Sequence, residues 1–468
     1  MGVGKVRAHG TRRIAIGATA AVAVTLGIAA PAAAEVASVR PVGTCGEFAE
    51  ALETSGTVVL TRTIGATFAE CPPAELGAGA DVVIDLVRYG LYLGGDDAPG
   101  AGLFVPSDAR LTIRGEEQGA YLYAGGSDGA GIGARPGSGP SGDIRIEGGY
   151  VQGFSVHAAG VGGADGDATV VVTGGRVFGG AYSESSPVNA AGIGGGVRGV
   201  GRVTVLGGIA EGRSVVGAGI GGGAEGDGVV TIDLPADEGQ WVSAESRSGS
   251  GIGTGNRGGS AVVDIRGGRV IASAWGASGT GLGDVAKRGS VTISGVPSVD
   301  VDSIRSGRIE ILGGSVYGSD RAAAIDPRPV AGPTPLSQAY VAVVKGGRPV
   351  VPGPRLVVVD AAGAPTGYEA LATARGSAYL WLPPGPAFIR AEVDGVRRTF
   401  PVTVAADGST RATLDFSGPT LQDRIVARFA ELARRLGDSD AAVARIAKEL
   451  RIPESTVRYW LRQAGELG

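Results

Sequence analysis

The sequence predicts a mainly β protein: a three-sided parallel β-helix, followed by a small antiparallel β-sandwich and a module of three helices. Three observations indicate this fold class. Glycine makes up 86 of the 468 residues, while hydrophobic residues still make up 43% and aromatic residues 5%. Two short motifs recur through the middle of the chain at intervals of about 30 residues. Residues 419–468 instead carry their apolar side chains at helical spacing.

The first 34 residues have the three regions of a secretory signal peptide. Its basic residues are Lys5, Arg7, Arg12 and Arg13. Residues 14–30 are uncharged and apolar, and a run of alanines ending at Ala34 suits cleavage. We therefore expect residues 1–34 to be removed and the protein to be secreted or associated with the cell surface, with no membrane span left. An uncleaved membrane anchor is the alternative.

The mature chain is expected to be acidic and to contain one disulfide. The signal segment holds four of the 42 basic residues and none of the 46 acidic ones, which leaves 38 basic residues and a net charge of −8. A protein with net negative charge repels polyanions and is therefore not expected to bind them in general. Cys45 and Cys71 are the only cysteines. In an exported chain they are expected to pair with each other.

The repeats indicate a solenoid. A Gly-rich motif, Ala-Gly-Ile-Gly and its variants, starts at residues 130, 159, 191, 218, 250 and 278. A β-branched triplet followed in most copies by Gly-Gly starts at residues 144, 170, 203, 230, 263 and 291, with spacings of 26, 33, 27, 33 and 28 residues. One such unit cannot bury its own apolar face, whereas stacked copies can. A β-sandwich is the weaker alternative, because hairpins impose no fixed period.

Three inward stacks of side chains follow from the alternation within each short strand. The first stack would contain Ile144, Ile146, Val170, Val172, Val203, Val205, Val230, Ile232, Val263, Ile265, Val291, Ile293, Ile309 and Ile311. The second would contain Ile132, Val161, Ile193, Ile220, Ile252 and Leu282. The third would contain Val151, Val177, Ala210, Val242, Val270 and Val316.

Residues 36–130 fit the front of the same solenoid. A short amphipathic helix at 45–52 could plug its open end, and strands are expected at 57–63, 81–93 and 103–114. With the signal peptide and the Gly-rich coils, this pattern resembles secreted bacterial proteins of the pectate-lyase-like right-handed parallel β-helix class. We assign residues 35–326 to such a β-helix. The resemblance implies the fold rather than an activity, because this fold hosts lyases, hydrolases, adhesins and tailspikes alike.

Two further modules are expected after the solenoid. Residues 327–338 are proline-rich and predict a linker, and residues 339–417 alternate apolar and polar positions between turn signals. The second segment resembles the transthyretin-like β-sandwich modules of carboxypeptidases, which usually act as spacers or contact surfaces. Helices are expected at about 420–436, 441–450 and 454–464.

The second and third of these helices resemble a helix-turn-helix. In such motifs the N-terminal residues of the second helix enter the DNA major groove. The resemblance therefore implies DNA contacts from Ser455, Thr456 and Arg458, with Arg462 near phosphate. Export away from cytoplasmic DNA argues against that role. We expect a packing or protein-partner role for residues 419–468 and regard nucleic acid as an unlikely partner.

Carboxylates at two equivalent turns are the candidate metal ligands. Asp165 and Asp167 form one pair, and Glu225 and Asp227 form the other. Either pair could hold Ca²⁺, the ion that resemblance to the lyases would imply. The intervening turn carries Arg198 at this place, so no continuous acidic column forms. We expect solvated turn acids and no cofactor.

Outward apolar residues after each Gly-Gly pair are the candidate binding surface. They include the aromatic residues Tyr150, Phe178, Trp241 and Tyr317 and the aliphatic residues Ile209 and Ile271. If the registers hold, these side chains share one side of the solenoid, where flat rings suit sugars. Lateral loops that cover them are the alternative.

The sequence therefore favours an exported, non-catalytic protein that binds extracellular glycan or cell-surface partners. A polysaccharide lyase or hydrolase is the alternative. We assign no catalytic residue.

Overall fold

The computed structural model describes residues 38–65, 70–95, 97–116, 118–181, 188–236, 239–318, 324–418 and 421–467. The expected signal peptide, residues 1–34, lies outside the described residues. The described part of the chain forms one compact unit. It contains a parallel β-solenoid of about eight turns, two smaller sheets and three C-terminal helices, as the sequence predicts.

Three long sheets, here called A, B and C, form the sides of the solenoid. In spatial order, sheet A contains β1 (Val39–Val42), β2 (Gly56–Leu60), β4 (Asp81–Asp85), β7 (Arg110–Arg114), β10 (Asp143–Ile146), β13 (Ala168–Val172), β16 (Gly201–Val205), β19 (Gly228–Asp233), β22 (Ala261–Gly267), β25 (Ser290–Ile293), β28 (Arg308–Ile311), β31 (Val330–Ala331) and β32 (Thr334–Pro335). All neighbours are parallel except β31 and β32.

Sheet B contains β5 (Gly90–Gly94), β8 (Tyr121–Gly126), β11 (Tyr150–Ser155), β14 (Arg176–Ala181), β17 (Ile209–Ser214), β20 (Trp241–Ser246), β23 (Arg269–Ala274), β26 (Ser298–Val301) and β29 (Ser315–Tyr317). Sheet C contains β3 (Ala74–Glu75), β6 (Leu103–Phe104), β9 (Ile132–Gly133), β12 (Val161–Gly162), β15 (Ile193–Gly194), β18 (Ile220–Gly221), β21 (Ser250–Gly253), β24 (Thr280–Gly283), β27 (Ser303–Arg305) and β30 (Ala324–Asp326).

The three predicted inward stacks are confirmed. Every residue assigned to them is at most 1% exposed. The strand registers place successive members directly beside one another, so that Val203 lies between Val170 and Val230 in sheet A. Ile193 is paired in the same way with Val161 and Ile220 in sheet C. The core is therefore a continuous column of β-branched and leucine side chains along the solenoid axis.

The strands expected at 81–93 and 103–114 are each two strands separated by a corner. The first segment breaks between β4 and β5, where Val87 has a φ of 55°. The second breaks between β6 and β7, where the Ala109 amide donates to the Pro106 carbonyl at 3.0 Å. The expectation of two continuous strands was wrong because apolar and polar residues keep alternating across each corner. The sequence pattern therefore does not indicate where the chain turns.

Glycine at one corner explains the recurring Ala-Gly-Ile-Gly motif. The second glycine of successive motifs has a φ of 130–139°, at Gly133, Gly162, Gly194, Gly221 and Gly253. A Cβ atom added to any of them would lie 1.9–2.1 Å from the carbonyl oxygen of the next glycine in the series. Both the backbone conformation and the close approach of consecutive coils therefore exclude a side chain at this corner.

Helix α1 (Cys45–Ala51) lies at the front of the solenoid, and the predicted disulfide ties it down. The Thr44 hydroxyl caps the helix by accepting from the Glu47 amide at 3.2 Å. Phe48 is fully buried and belongs to the solenoid core. Cys45 and Cys71 are bonded, with their Cα atoms 5.5 Å apart. The helix thus covers core side chains that would otherwise face water at the first coil.

Two four-stranded sheets follow the solenoid. One contains β33 (Ser337–Lys345), β34 (Arg348–Pro349), β37 (Ser377–Leu382) and β40 (Thr410–Asp415). The other contains β35 (Arg355–Val359), β36 (Pro365–Leu371), β38 (Gly385–Val393) and β39 (Val396–Val404). Pairing is antiparallel except that β40 runs parallel to β33. Their buried side chains belong to the same cluster as the solenoid core. We call residues 337–415 the two-sheet module.

The two-sheet module is joined to the last coil by specific hydrogen bonds. The Tyr368 hydroxyl donates to the Gly314 carbonyl at 3.1 Å. The Val316 carbonyl accepts from Gln338 Nε2 and from Trp381 Nε1, both at 3.2 Å. Because these donors and acceptors are buried, the junction has a fixed geometry and covers the edge of sheet B.

Three helices end the described chain: α2 (Leu421–Leu436), α3 (Ser439–Leu450) and α4 (Glu454–Gln463). Ile425, Phe429 and Leu432 are at most 5% exposed and pack in one cluster with Val359 and Phe388 of the two-sheet module. The helices are therefore docked on that module. No helix in the described part of the chain combines the length and hydropathy needed to cross a membrane.

Val203→Asp tests the inward register. Val203 is 1% exposed in the middle of the sheet A stack, so the variant would bury a carboxylate without a partner. We expect a loss of about 4 kcal/mol or more in the free energy of unfolding, or failure to fold. Thermal unfolding followed by circular dichroism measures this. The control is Thr204→Asp, whose side chain points outward from the same strand and should change stability by less than about 1 kcal/mol. Equal melting temperatures for the two variants would contradict the register.

Gly221→Ala tests the glycine corner. The added methyl group would meet the Gly253 carbonyl at 2.1 Å, at a φ of 134°. We expect a loss of about 3 kcal/mol or more, measured as a lower urea midpoint. Gly46→Ala in α1 is the matched control, because no heavy atom lies within 4 Å of its Cβ position. That variant should be neutral or stabilising by up to about 1 kcal/mol. Similar midpoints for the two variants would refute the steric argument.

Candidate binding face

The outward side chains of sheet B, here called face B, fall into columns that run along the solenoid. The registers align the strands residue by residue. The first column contains Tyr121, Tyr150, Arg176, Ile209, Trp241 and Arg269. The second contains Tyr92, Tyr123, Gln152, Phe178, Glu211, Ser243, Ile271, Asp300 and Tyr317. Neighbours within a column are about 4.8 Å apart, the spacing of hydrogen-bonded strands.

The structure brings all the proposed glycan-binding residues onto face B. Tyr150, Ile209 and Trp241 lie in the first column, and Phe178, Ile271 and Tyr317 lie in the second. All six side chains are half-buried. They share one side of the solenoid but do not form one uniform surface, because their neighbours in the columns differ.

The first half of face B is an aromatic cluster whose rings contact each other. Tyr123 stacks on Phe154 with ring centroids 5.0 Å apart and an interplanar angle of 27°. Phe154 lies 5.2 Å from Phe178. Tyr92 meets Tyr121 edge to face at 5.0 Å. Since the ring faces are turned toward one another, this cluster presents ring edges and hydroxyl groups.

The hydroxyl groups at the start of the cluster are linked. Tyr92 and Tyr121 share a hydrogen bond. Burial, together with that hydrogen bond, raises the pKa of Tyr92 to about 12. The phenol therefore stays protonated and neutral across the physiological pH range, available as a polar group without adding charge to face B.

Arginines in the middle of face B lie over aromatic rings and are paired with carboxylates. Arg176 lies 5.2 Å from the centroid of Tyr150 and forms an ion pair with Glu211 at 2.6 Å. Arg213 lies 5.8 Å from the centroid of Phe178. It also lies 3.4 Å from Glu245. The charges in this part of face B are therefore balanced.

The second half of face B differs, because its tryptophan rings are not stacked. In the described part of the chain, neither Trp241 nor Trp275 has a ring or cation–π contact. Trp275 follows β23 directly and is 69% exposed. Arg269 is the register partner of Trp241. Arg247, exposed like Arg269, follows β20 and lies beside Trp275, whose amide donates to the adjacent Ser246 carbonyl at 3.2 Å.

Two tryptophan–arginine pairs therefore lie at the two ends of β20 and β23. Trp241 and Arg269 are at the start of these strands, and Arg247 and Trp275 directly follow their ends. Within the described residues, no ion pair or side-chain hydrogen bond engages Arg247 or Arg269. Sequence reasoning missed Trp275, Arg247 and Arg269. Counting outward positions along the aligned strands would have found Arg269. Arg247 and Trp275 directly follow the ends of β20 and β23, so the alternation within the strands does not indicate where their side chains lie.

Tyr317 lies where the two-sheet module meets face B. Its ring stacks on Tyr379 with centroids 5.6 Å apart and an interplanar angle of 25°. Tyr379 is in turn 5.1 Å from Tyr340. The ring of Tyr317 is therefore part of the junction between the solenoid and the two-sheet module.

The four candidate metal ligands are engaged within the protein. Asp165 accepts a hydrogen bond from the Gly137 amide at 3.3 Å. Asp167 lies 3.1 Å from Arg202 and accepts from the Val200 amide at 2.8 Å. These contacts place both carboxylates in a turn-stabilising role.

The second pair has the same character. Glu225 lies 3.4 Å from Arg198 and 3.9 Å from Arg257 on the coils before and after it. Asp227 accepts from the Ser260 amide at 2.6 Å. Among the described residues, no group of three or more His, Cys, Asp or Glu is placed to hold a metal ion.

The candidate DNA-contacting residues of α4 are partly occupied by contacts inside the protein. Thr456 is 2% exposed, and its hydroxyl donates to the Ala361 carbonyl of the two-sheet module at 3.4 Å. Arg458 forms an ion pair with Asp440 at 2.8 Å. Ser455 and Arg462 are exposed. The N-terminal turn of α4, the part that would enter a groove, therefore lies against the two-sheet module.

No family model, curated protein or solved structure matches this chain.

Proposed function

We propose that this chain is an exported, non-catalytic β-helix protein that binds polysaccharide along face B. The observation that carries the proposal is the pair of unstacked tryptophans, Trp241 and Trp275, each beside an unpaired arginine. An indole ring offers a flat apolar surface for the C–H groups of a sugar, and a neighbouring guanidinium offers several donors for its oxygens. A rigid sheet holds both without the entropy cost of ordering a loop.

The width of face B suits a chain-like ligand. Trp241 is the first residue of β20, and Trp275 follows β23. Trp275 lies six positions beyond Arg269, the register partner of Trp241, which places the indoles about 20 Å apart along the strand direction. That distance is on the scale of several sugar units rather than one, so an oligosaccharide could contact both rings. The hydroxyl groups of the aromatic cluster extend the same surface toward the front of the solenoid.

Export is proposed on two grounds. The signal-peptide pattern of residues 1–34 lies outside the described residues, and the disulfide between Cys45 and Cys71 lies within them. Disulfides persist in oxidising compartments. Polysaccharides are abundant ligands in those compartments, which agrees with the proposed binding role.

The resemblances noted in the sequence enter as proposals about the modules. We propose that the solenoid belongs with the pectate-lyase-like β-helices and that the two-sheet module is a transthyretin-like spacer. The three helices are proposed to have a helix-turn-helix shape with a packing role. The burial of Thr456 and the pairing of Arg458 support packing over DNA binding.

Trp241→Ala tests the binding face. A glycan array probed with the mature chain first identifies a polysaccharide, and affinity electrophoresis in gels containing it then measures Kd. We expect the variant to bind about 30-fold more weakly, because truncating a central aromatic anchor costs about 2 kcal/mol. Combining it with Trp275→Ala should abolish binding, because both unstacked indoles are then lost. Circular dichroism and the melting temperature should stay close to those of the wild type.

Thr204→Ala on sheet A is the control, since its side chain points outward from another side of the solenoid. It should bind like the wild type. Unchanged retention of the Trp241→Ala variant would remove face B as the site. Release of reducing ends or unsaturated products from the same polysaccharide would favour the lyase or hydrolase alternative instead.

A further inference from the structure

Four aromatic or charged side chains of face B, here called the free groups, lie on two neighbouring strands. They are Trp241, Arg247, Arg269 and Trp275, and within the described residues they make no ring contact, ion pair or side-chain hydrogen bond. The two indoles are about 20 Å apart along the strands but only one strand spacing, about 4.8 Å, apart across them. Because the coils stack across the strands, the free groups are spread perpendicular to the solenoid axis.

The charged groups on the coil before these strands are already engaged. On β17, Glu211 forms an ion pair with Arg176 at 2.6 Å. Arg213 lies 3.4 Å from Glu245. The first outward residue of the strand, Ile209, is aliphatic. A ligand chain running along the axis toward the front would therefore leave the free groups behind at the first coil it crosses.

The coil after these strands is engaged in the same way. Asp302, which follows β26, accepts from the Ala274 amide at 2.7 Å. The hydroxyls of Ser298 and Tyr317 share a hydrogen bond at 3.4 Å. Asp300, between them in sequence and Asp302, is engaged as well. A chain running along the axis in this direction meets side chains that already bond within the protein.

Short side chains lie between the two tryptophans. The outward residues of β20 and β23 between them are half-buried and comprise Ser243, Glu245, Ile271 and Ser273. In the described part of the chain, no side-chain hydrogen bond engages the hydroxyl of Ser243 or of Ser273. Because serine is short, a sugar chain can lie close to the sheet here, and both hydroxyls can bond to its oxygens.

The free groups are arranged about a local two-fold axis perpendicular to the sheet. Half a turn about the centre of β20 and β23 exchanges the position of Trp241 with that of Trp275, and the position of Arg269 with that of Arg247. Each end of the two strands therefore presents one indole beside one guanidinium, here called a half-site. Two like half-sites suit a ligand built from repeating units, because each can take the same chemical group.

We infer that one polysaccharide chain crosses the solenoid at β20 and β23, nearly parallel to the strands, and contacts both half-sites at once. This inference rests on the binding role proposed above for face B. It specifies the ligand as a linear chain long enough to reach from Trp241 to Trp275, which a disaccharide is too short to do. Once one half-site is occupied, binding at the other is intramolecular, and this raises the affinity without a new kind of contact.

Isothermal titration calorimetry of the mature chain, with oligosaccharides prepared from the polysaccharide that the glycan array identifies, tests the crossing. One long oligosaccharide should bind per protein. Its affinity should exceed that of the disaccharide at least about 30-fold, the gain from a second aromatic anchor. Trp241→Ala and Trp275→Ala should each remove this gain, because only one half-site then remains intact.

Two results would count against the crossing in different ways. Two long oligosaccharides per protein, with each tryptophan variant losing one and binding the other at full affinity, would overturn the inference and leave the proposed binding role intact. Absence of binding to any glycan would overturn the proposed function itself, and this inference with it.

Phe154→Ala is the control for the direction of the chain. The Phe154 ring lies toward the front of face B, between the rings of Tyr123 and Phe178. A ligand along the solenoid axis would pass over this region, whereas a ligand crossing at β20 and β23 would not. The variant, checked for folding by circular dichroism, should bind long oligosaccharides like the wild type. Binding weakened tenfold or more in the folded variant would overturn the crossing.

Discussion

The close approach of consecutive coils at the glycine corner is the constraint on which the rest of this structure depends. At Gly133, Gly162, Gly194, Gly221 and Gly253, the backbone has a positive φ and the next coil lies where a side chain would be. Each coil therefore turns in the same way at the same point. Strands before and after the corner are consequently stacked in register, which aligns the apolar columns of the core.

Aligned stacking also determines what the outer surface can carry. Equivalent residues on neighbouring coils lie about 4.8 Å apart, so like charges in a column would repel one another. At the turns beside sheet C, Asp165, Arg198, Glu225 and Arg257 alternate in sign along successive coils, and Arg198 and Arg257 both approach Glu225. On face B, stacking turns the rings of Tyr123 and Phe154 toward each other. Rings that satisfy each other offer less to a ligand, which is why the unstacked tryptophans carry the proposed binding site.

Much of the fold could be predicted from the sequence, because the inward stacks depend on local alternation and on a repeat. Val203 and Ile193 are buried as predicted for this reason. The corner at Val87 was missed because the apolar pattern continues across it. Counting from the Gly-Gly pairs found Tyr150, Phe178 and Trp241 but missed Tyr123 and Phe154. The docking of Tyr379 on Tyr317 joins residues 62 positions apart and depends on the assembled modules, so no local pattern predicts it.

Both ends of the solenoid are covered by other parts of the chain. A parallel solenoid exposes unpaired strand edges and core side chains at its ends, and such edges recruit further strands. Here α1 and the disulfide cover the front, while Tyr368, Trp381 and Gln338 fix the two-sheet module over the last coil. The middle strands of sheet C, such as Ile193–Gly194, pair one inward apolar residue with a glycine and present no outward side chain. Sheets A and B form the sides that carry outward columns of side chains along the solenoid. An elongated ligand bound along such a side would meet one more set of side chains with each coil, at a fixed spacing of about 4.8 Å.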